Sequence, residues 1–302
     1  MTKLGIVVVY LVNEENEALL NLHLRQIERH THVPYAIYGS ANRLLPKFRT
    51  ILERHYVKIC DCPTTEFRGV KEHAYYLDQL IRVAFDDGAT HVVTMHVDSF
   101  PVRSDWAETL IEKLTGKRVL ASIMRDAEAD HKPNTACLFL RRDFYLTCQP
   151  TLLLSDSELH SPDCERYRKA YMPAMDSGIG YGFKVFAEGL DWYPMPRSNI
   201  AEAYFTFGGI YGDLVFHLGG ATWVLGNPTE TSDGLLSKMG TEPWFHKSKE
   251  LAKRIVPPAL RRRLGVPVRI RPTLVTPVLE RRRRQLFDDP DAFLEYLRTG
   301  KT

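Results

Sequence analysis

Three short stretches of this 302-residue chain bring together side chains able to do chemistry. In "HVVTMHVDSFPV" (91–102) an apolar run ends at His96 and Asp98, and Ser-Phe-Pro follows at once. A buried strand has no need of an acid there, whereas a divalent cation does. Cations of the Mg/Mn kind take hard oxygen ligands, and Mn accepts imidazole as well. The competing reading is a polar turn in which Asp98 and Ser99 cap the next element. In "DLVFHLGG" (213–220) His217 closes a second apolar run ahead of two glycines, which let backbone approach a ligand closely. Paired with Asp98, His217 is a candidate third metal ligand, because both would sit at strand ends. In "MPAMDSGIGYG" (172–182) Asp176 precedes a glycine-rich turn into a helix. An acid there suits a helix N-cap, and equally a general base at the rim of a cleft. Gly178, Gly180 and Gly182 do not form a dinucleotide fingerprint, because the order after a strand is wrong.

The flanking patterns say which elements would hold these residues. "GIVVVYLV" (5–12) is continuous, apolar and β-branched, as in a strand buried on both faces. The following "NEENEALLNLHLRQIERHT" has roughly helical apolar spacing, with acids first and basic residues last, as the helix dipole prefers. Strands are expected at 33–40, 56–63 and 91–97, and a strong amphipathic helix at 70–90. A helix at 104–116 would use Ser104 as N-cap and Gly116 as stop. Strands at 118–124 and 135–145, an irregular stretch at 149–175, a helix at 176–190 and a strand at 213–224 complete the reading. Alternating strands and helices argue an α/β, doubly wound mixed sheet with helices on both faces. In such sheets ligands sit beyond the carboxyl ends of the strands, where His96 and Asp98 would lie.

Composition is that of an ordinary globular chain, 25% charged and 44% hydrophobic. A net charge of +3 does not argue for nucleic acid. The charge is uneven: residues 247–302 hold 15 Lys/Arg against 6 Asp/Glu, a local +9 on an acidic body. This divides the chain into a body, 1–245, and a basic Arg/Pro-rich extension, 246–302. Five irregularly spaced cysteines with no CxxC pair suggest reduced thiols in a cytosolic setting. The N-terminal apolar run leads into acids and reads as a strand, not a signal peptide. No apolar run approaches the length of a transmembrane helix.

Taken together, "IVVVYLVNEENEALLNLHLRQIERHTHVPYAIYGS", "THVVTMHVDSFPVRSDWAETLIEKL", "DSGIGYG" and "VFHLGGAT" resemble a GT-A glycosyltransferase, close to the family 2 type. The resemblance covers about residues 4–225. It implies a GT-A-like nucleotide-diphospho-sugar transferase fold. "HVD" would stand for the acidic metal motif, with Asp98 holding Mn2+ or Mg2+ on the sugar nucleotide and His96 where a first acid is usual. His217 would complete the metal or diphosphate site. Tyr10, Asn13 and Ser40, near the ends of the first two strands, would contact the nucleotide, and Arg125 phosphate or acceptor. The usual catalytic acid pair of the family is absent, and Asp176 matches the catalytic base by position.

The resemblance thus implies a metal-dependent, inverting transferase. It would move a sugar from a nucleotide-sugar donor to a hydroxyl of a glycan or lipid-linked acceptor, in polysaccharide assembly. The setting implied is cytoplasmic, peripheral at the inner face of the plasma membrane. The basic tail, with its interleaved apolar residues, suits contact with an anionic membrane surface. It lacks the stacking aromatics of a single-strand nucleic-acid binder. Two other classes compete. One is a non-catalytic nucleotide- or glycan-binding protein of the same fold. The other is a sugar nucleotidyltransferase, which would need a glycine-rich basic loop where "YLVNEENEA" is acidic and glycine-free.

Overall fold

The computed structural model describes residues 2–10, 17–42, 44–124, 132–171, 176–201, 208–218 and 284–301. Among the described residues, ten strands and eight helices run in order to His217: β1 (Leu4–Val9), α1 (Glu17–His30), β2 (Tyr35–Ser40), α2 (Pro46–Arg54), β3 (Lys58–Cys60), α3 (Val70–Asp86), β4 (His91–Met95), β5 (Ser99–Pro101), α4 (Trp106–Lys113), β6 (Arg118–Ile123), β7 (Cys137–Arg141), α5 (Arg142–Cys148), α6 (Asp156–Leu159), α7 (Pro162–Tyr171), α8 (Ile179–Ala187), β8 (Asp191–Met195), β9 (Gly209–Tyr211) and β10 (Val215–His217). A further helix spans Pro290–Thr299.

Seven strands form one sheet in the order β3-β2-β1-β4-β7-β6-β8. Its pairs are parallel except those of β7, which runs antiparallel to β4 and β6. The two faces can be read from β1, where every residue is buried. Leu4, Ile6 and Val8 point into a core with α1, α2 and α4. Val7 and Val9 point the other way, against α3, α5 and α8. Each of these side chains contributes about 1.5–3 kcal/mol of burial, which is why a continuous apolar run belongs at a central strand. Gly5 lets α3 lie close: a Cβ there would meet the Ala84 Cβ at 2.9 Å. The α/β class and the mixed sheet covered by helices on both faces are as the sequence leads one to expect.

A second sheet, β5-β10-β9, is small and antiparallel. The helix Pro290–Thr299 packs on it. Phe293, Leu294 and Leu297 are buried in the same core as the main sheet, and the Phe293 and Phe216 rings meet edge to face. Arg298 donates to Asp213 and to the Val102 carbonyl. So part of the segment assigned by charge to an extension lies within the body's core, because its apolar stripe outweighs its basic neighbours. Residues 246–283 of that segment lie outside the described residues. Among the described residues no helix is long and apolar enough to cross a membrane.

Several expectations about local structure change. The apolar run after 135 is a strand only to Arg141, and Arg142 opens α5. Residues 149–175 contain α6 and α7. Within the strand placed at 213–224 the described residues form β10, Val215–His217, and 219–224 lie outside the description. Helix α4 starts from Asp105, with Ser104 directed toward His30 instead of capping. The five cysteines are unbridged thiols.

Candidate metal centre

The stretch "HVDS" is a tight turn between the two sheets. The Ser99 N–H donates to the His96 carbonyl at 3.0 Å, closing the turn around Val97 and Asp98. The Ser99 hydroxyl accepts from the His96 N–H at 2.9 Å and donates to the Ala136 carbonyl at 2.6 Å. From beneath, His23 of α1 contacts the Ser99 carbonyl through Nδ1 at 2.7 Å. Burial pushes its pKa down to about 4, so the ring is neutral, and a carbonyl partner puts the proton on Nδ1. The turn is therefore fixed from three sides at the carboxyl end of β4.

Strand pairing then delivers the histidine from far along the chain. Ser99 of β5 lies opposite His217 of β10, and the Leu218 N–H donates to the Asp98 carbonyl at 2.9 Å. As a result Asp98 Oδ1 is 3.6 Å from His217 Nε2 and 3.9 Å from His96 Nδ1. Asp98 is 4% exposed, and the two imidazoles are half-buried. One ligand atom from each of the three lies within 4.8 Å of the others. Two ligands each about 2.1 Å from one ion lie at most about 4.2 Å apart, so small side-chain rotations close this cluster on a cation. Two imidazole nitrogens and one carboxylate oxygen suit Mn2+, Fe2+ or Zn2+ better than the all-oxygen preference of Mg2+. The residues present fit a divalent cation on these grounds.

Asp176 stands nearby, linked through side chains. The His96 Nε2 lies 3.1 Å from the Thr135 hydroxyl, and Thr135 lies 3.2 Å from the Ser177 hydroxyl. Asp176 Oδ1 accepts from the Ser177 N–H at 2.8 Å, and its Oδ2 lies 3.7 Å from Lys132 Nζ. Lys132 is 2% exposed and donates also to the Ser177 carbonyl. A charge so deeply placed requires a counter-charge, which Asp176 supplies. The N-cap of α8 is Gly178, not Asp176. The glycines that follow have a packing cause. At Gly178, with φ +94°, a Cβ would fall 2.1 Å from the Pro133 carbonyl oxygen, and at Gly180 2.0 Å from that of Thr151. Only glycine lets this turn lie against the 132–135 loop.

His73 of α3 also reaches this region. Its ring stands edge-on to His96 at 4.9 Å, and burial pushes its pKa down to about 4 while Asp176 pulls it up. Lys132, Thr135, Ser177 and His73 were not singled out in the sequence. They come from a loop, a turn and a helix shoulder with no motif of their own, and only the packed loops bring them together.

The expected nucleotide contacts fare differently. Tyr10 is 0% exposed, its ring lies against Gly39 and edge-on to His23, and it is part of the core instead of a cleft wall. The cause is the bare Gly39 surface, which leaves a slot that the phenol fills. Ser40 is buried and bonds to Asn42, which bonds to the Cys62 carbonyl, so it joins the carboxyl ends of β2 and β3. Asn13 and Arg125 lie outside the described residues. A groove of about 400 Å3 between α1, His55 and Phe287 shares no residue with the cluster.

No protein-family model matches the chain, and no curated protein matches it. Among solved structures it is similar to a mannosyltransferase, PcManGT from Pyrobaculum calidifontis in complex with GDP-Man and Mn2+, at 14% identity and TM-score 0.39, over 68% of this chain and 59% of that one. It is similar to a cytidylyltransferase from Leptospira borgpetersenii at 11% identity and TM-score 0.41, over 68% and 80%. It is also similar to glucosyl-3-phosphoglycerate synthase from Mycobacterium tuberculosis in complex with Mn2+ and UDP-glucose, at 15% identity and TM-score 0.35, over 50% and 60%. The chain spans under two thirds of the mannosyltransferase's length. At such identities and TM-scores the likeness says nothing of the reaction, which the chain's own residues must decide.

Proposed function

We propose that the chain is a divalent-cation-dependent glycosyltransferase. It moves a sugar from a nucleotide-diphosphate sugar to a hydroxyl acceptor, with inversion. The observation that carries this is the His96–Asp98–His217 cluster at the carboxyl end of β4, where doubly wound sheets receive their ligands. Asp98, His96 and His217 would hold Mn2+ or Mg2+, with Mn2+ the better fit. When bound, the cation supplies positive charge for a diphosphate leaving group. Asp176 accepts the proton of the acceptor hydroxyl. The acceptor oxygen forms the new bond to the anomeric carbon. The bond to the diphosphate breaks, and its electron pair leaves with the nucleoside diphosphate. A glycan or lipid-linked acceptor and a peripheral place at the inner face of the plasma membrane remain part of this reading. The acceptor follows from the resemblance alone, and the peripheral place also from the basic composition of the segment after 246.

One observation favours a second reading. Lys132 already engages Asp176 as a counter-ion, as a structural carboxylate would in a protein that binds nucleotide or glycan without catalysis. A panel of nucleotide sugars with Mn2+ and simple glycoside acceptors separates the two. Glycosyl transfer releases nucleoside diphosphate and depends on Asp176. Absence of turnover with every donor, alongside intact nucleotide binding, establishes the binding-only protein. Release of pyrophosphate from a nucleoside triphosphate and a sugar phosphate would mark a nucleotidyltransferase.

A further inference from the structure

The two ring nitrogens of His96 face different groups. Nδ1 points toward Asp98, while Nε2 lies 3.1 Å from the Thr135 hydroxyl. Thr135 is 2% exposed. Its position is fixed by buried bonds on either side: the Thr94 hydroxyl donates to the Thr135 carbonyl at 2.7 Å, and the Asn134 N–H donates to Ser122 Oγ at 2.7 Å. A neutral imidazole carries one proton, and the nitrogen that binds a cation must be bare. A cation on Nδ1 thus requires the proton on Nε2. Nε2–H then donates to Thr135, whose single proton is left for the Ser177 hydroxyl, 3.2 Å away. In the opposite tautomer Nδ1–H faces Asp98, and His96 is lost as a ligand.

We infer that Thr135 is a positioning residue: when Nδ1 takes the cation, the Thr135 hydroxyl accepts from Nε2–H and fixes the ring of His96, with Ser177 as the next hydroxyl in line. This rests on the cluster being a cation site, as proposed above. Hydrogen-bond partners of metal-binding histidines matter to affinity by about 10–100-fold. Thr135→Val keeps the side-chain shape and removes the hydroxyl, while Thr135→Ser keeps the hydroxyl.

The experiment titrates Mn2+ alone into wild type and both variants by calorimetry, with thermal melts beside it. The expected result is binding about 10–100-fold weaker in Thr135→Val and close to wild type in Thr135→Ser, without a matching difference in melting. Equal binding in wild type and Thr135→Val overturns the role of Thr135 and leaves the cation site standing. Equal loss in both variants also overturns it, since packing would then be the cause. No binding to wild type removes the cation site and this inference with it. Nitrogen NMR of the wild-type imidazoles with diamagnetic Zn2+ needs no variant. Coordination of His96 through Nδ1 with a proton on Nε2 is expected, and coordination through Nε2 would overturn the inference.

Discussion

Ser99 and His217 face each other across the β5–β10 ladder, and this one pairing sets Asp98 Oδ1 3.6 Å from His217 Nε2. A turn and a strand distant in the chain become one candidate ligand set because backbone hydrogen bonds fix their register. A slip by one residue would turn His217 to the other face of its sheet.

The ligand set predicts a choice of metal. One carboxylate and two imidazoles favour Mn2+ over Mg2+, which prefers oxygen and sheds water reluctantly. Calorimetry should show Mn2+ binding at least about ten-fold tighter than Mg2+, with the gap narrowing in His217→Ala. Equal affinities in the wild type would mean that the imidazoles do not coordinate.

Asp176 should matter to stability as well as activity. In Asp176→Asn the buried Lys132 loses its counter-charge. The cost should be about 3 kcal/mol, the low end for breaking a buried pair because the carboxylate keeps some solvent. Urea unfolding measures it. Adding Lys132→Met to Asp176→Asn should restore much of the stability and none of the transfer activity. Restoration of activity would remove Asp176 from the proton-accepting role.

Half-buried Asp78 predicts a pH dependence. Burial pushes its carboxyl up to about 7, against the opposing pull of the Leu152 N–H and Arg82. The unfolded carboxyl titrates near 3.9, so between about 4 and about 7 the folded state binds the extra proton. This contribution to stability is present at low pH and is lost as pH rises to about 7. Asp78→Asn removes the term. The variant's melting temperature relative to wild type should therefore rise from about pH 5 to about pH 8. A constant difference would show that Asp78 titrates normally.

The helix Pro290–Thr299 should support the cluster from behind. Phe293 packs on Phe216, the residue before His217. Phe293→Ala should cost about 3 kcal/mol by denaturant unfolding and weaken Mn2+ binding without touching a ligand. Unchanged Mn2+ affinity in the folded variant would show that β10 keeps its place without the helix.

Legibility in the sequence followed burial. β1, α1, α3 and β4 have strong apolar patterns, and their positions and kinds were readable to within a few residues. β8 is not legible, because "DWYPM" carries Pro194 and only partial burial, as an edge strand can. α7 has start and stop signals in Pro162, the early acids and the late basic residues, but the scattered Ser, Pro and Asp around it mask them. At the candidate site, His96, Asp98 and His217 could be named because each ends an apolar run. Lys132 and Thr135 could not, since their meaning comes from Gly178 allowing two loops to touch. Tyr10 read as a cleft residue because the slot over Gly39 leaves no trace in the pattern around it.

In the proposed function Asp98 anchors a cation used to bind a nucleoside diphosphate. Calorimetry of UDP, GDP, CDP and dTDP, with and without Mn2+, on wild type and Asp98→Ala tests it most directly. The account predicts that one nucleotide binds tightly only with Mn2+ and that the variant loses this by at least about 100-fold. Nucleotide binding that is indifferent to both Mn2+ and Asp98, or absent altogether, would contradict it and leave "HVDS" as a structural turn.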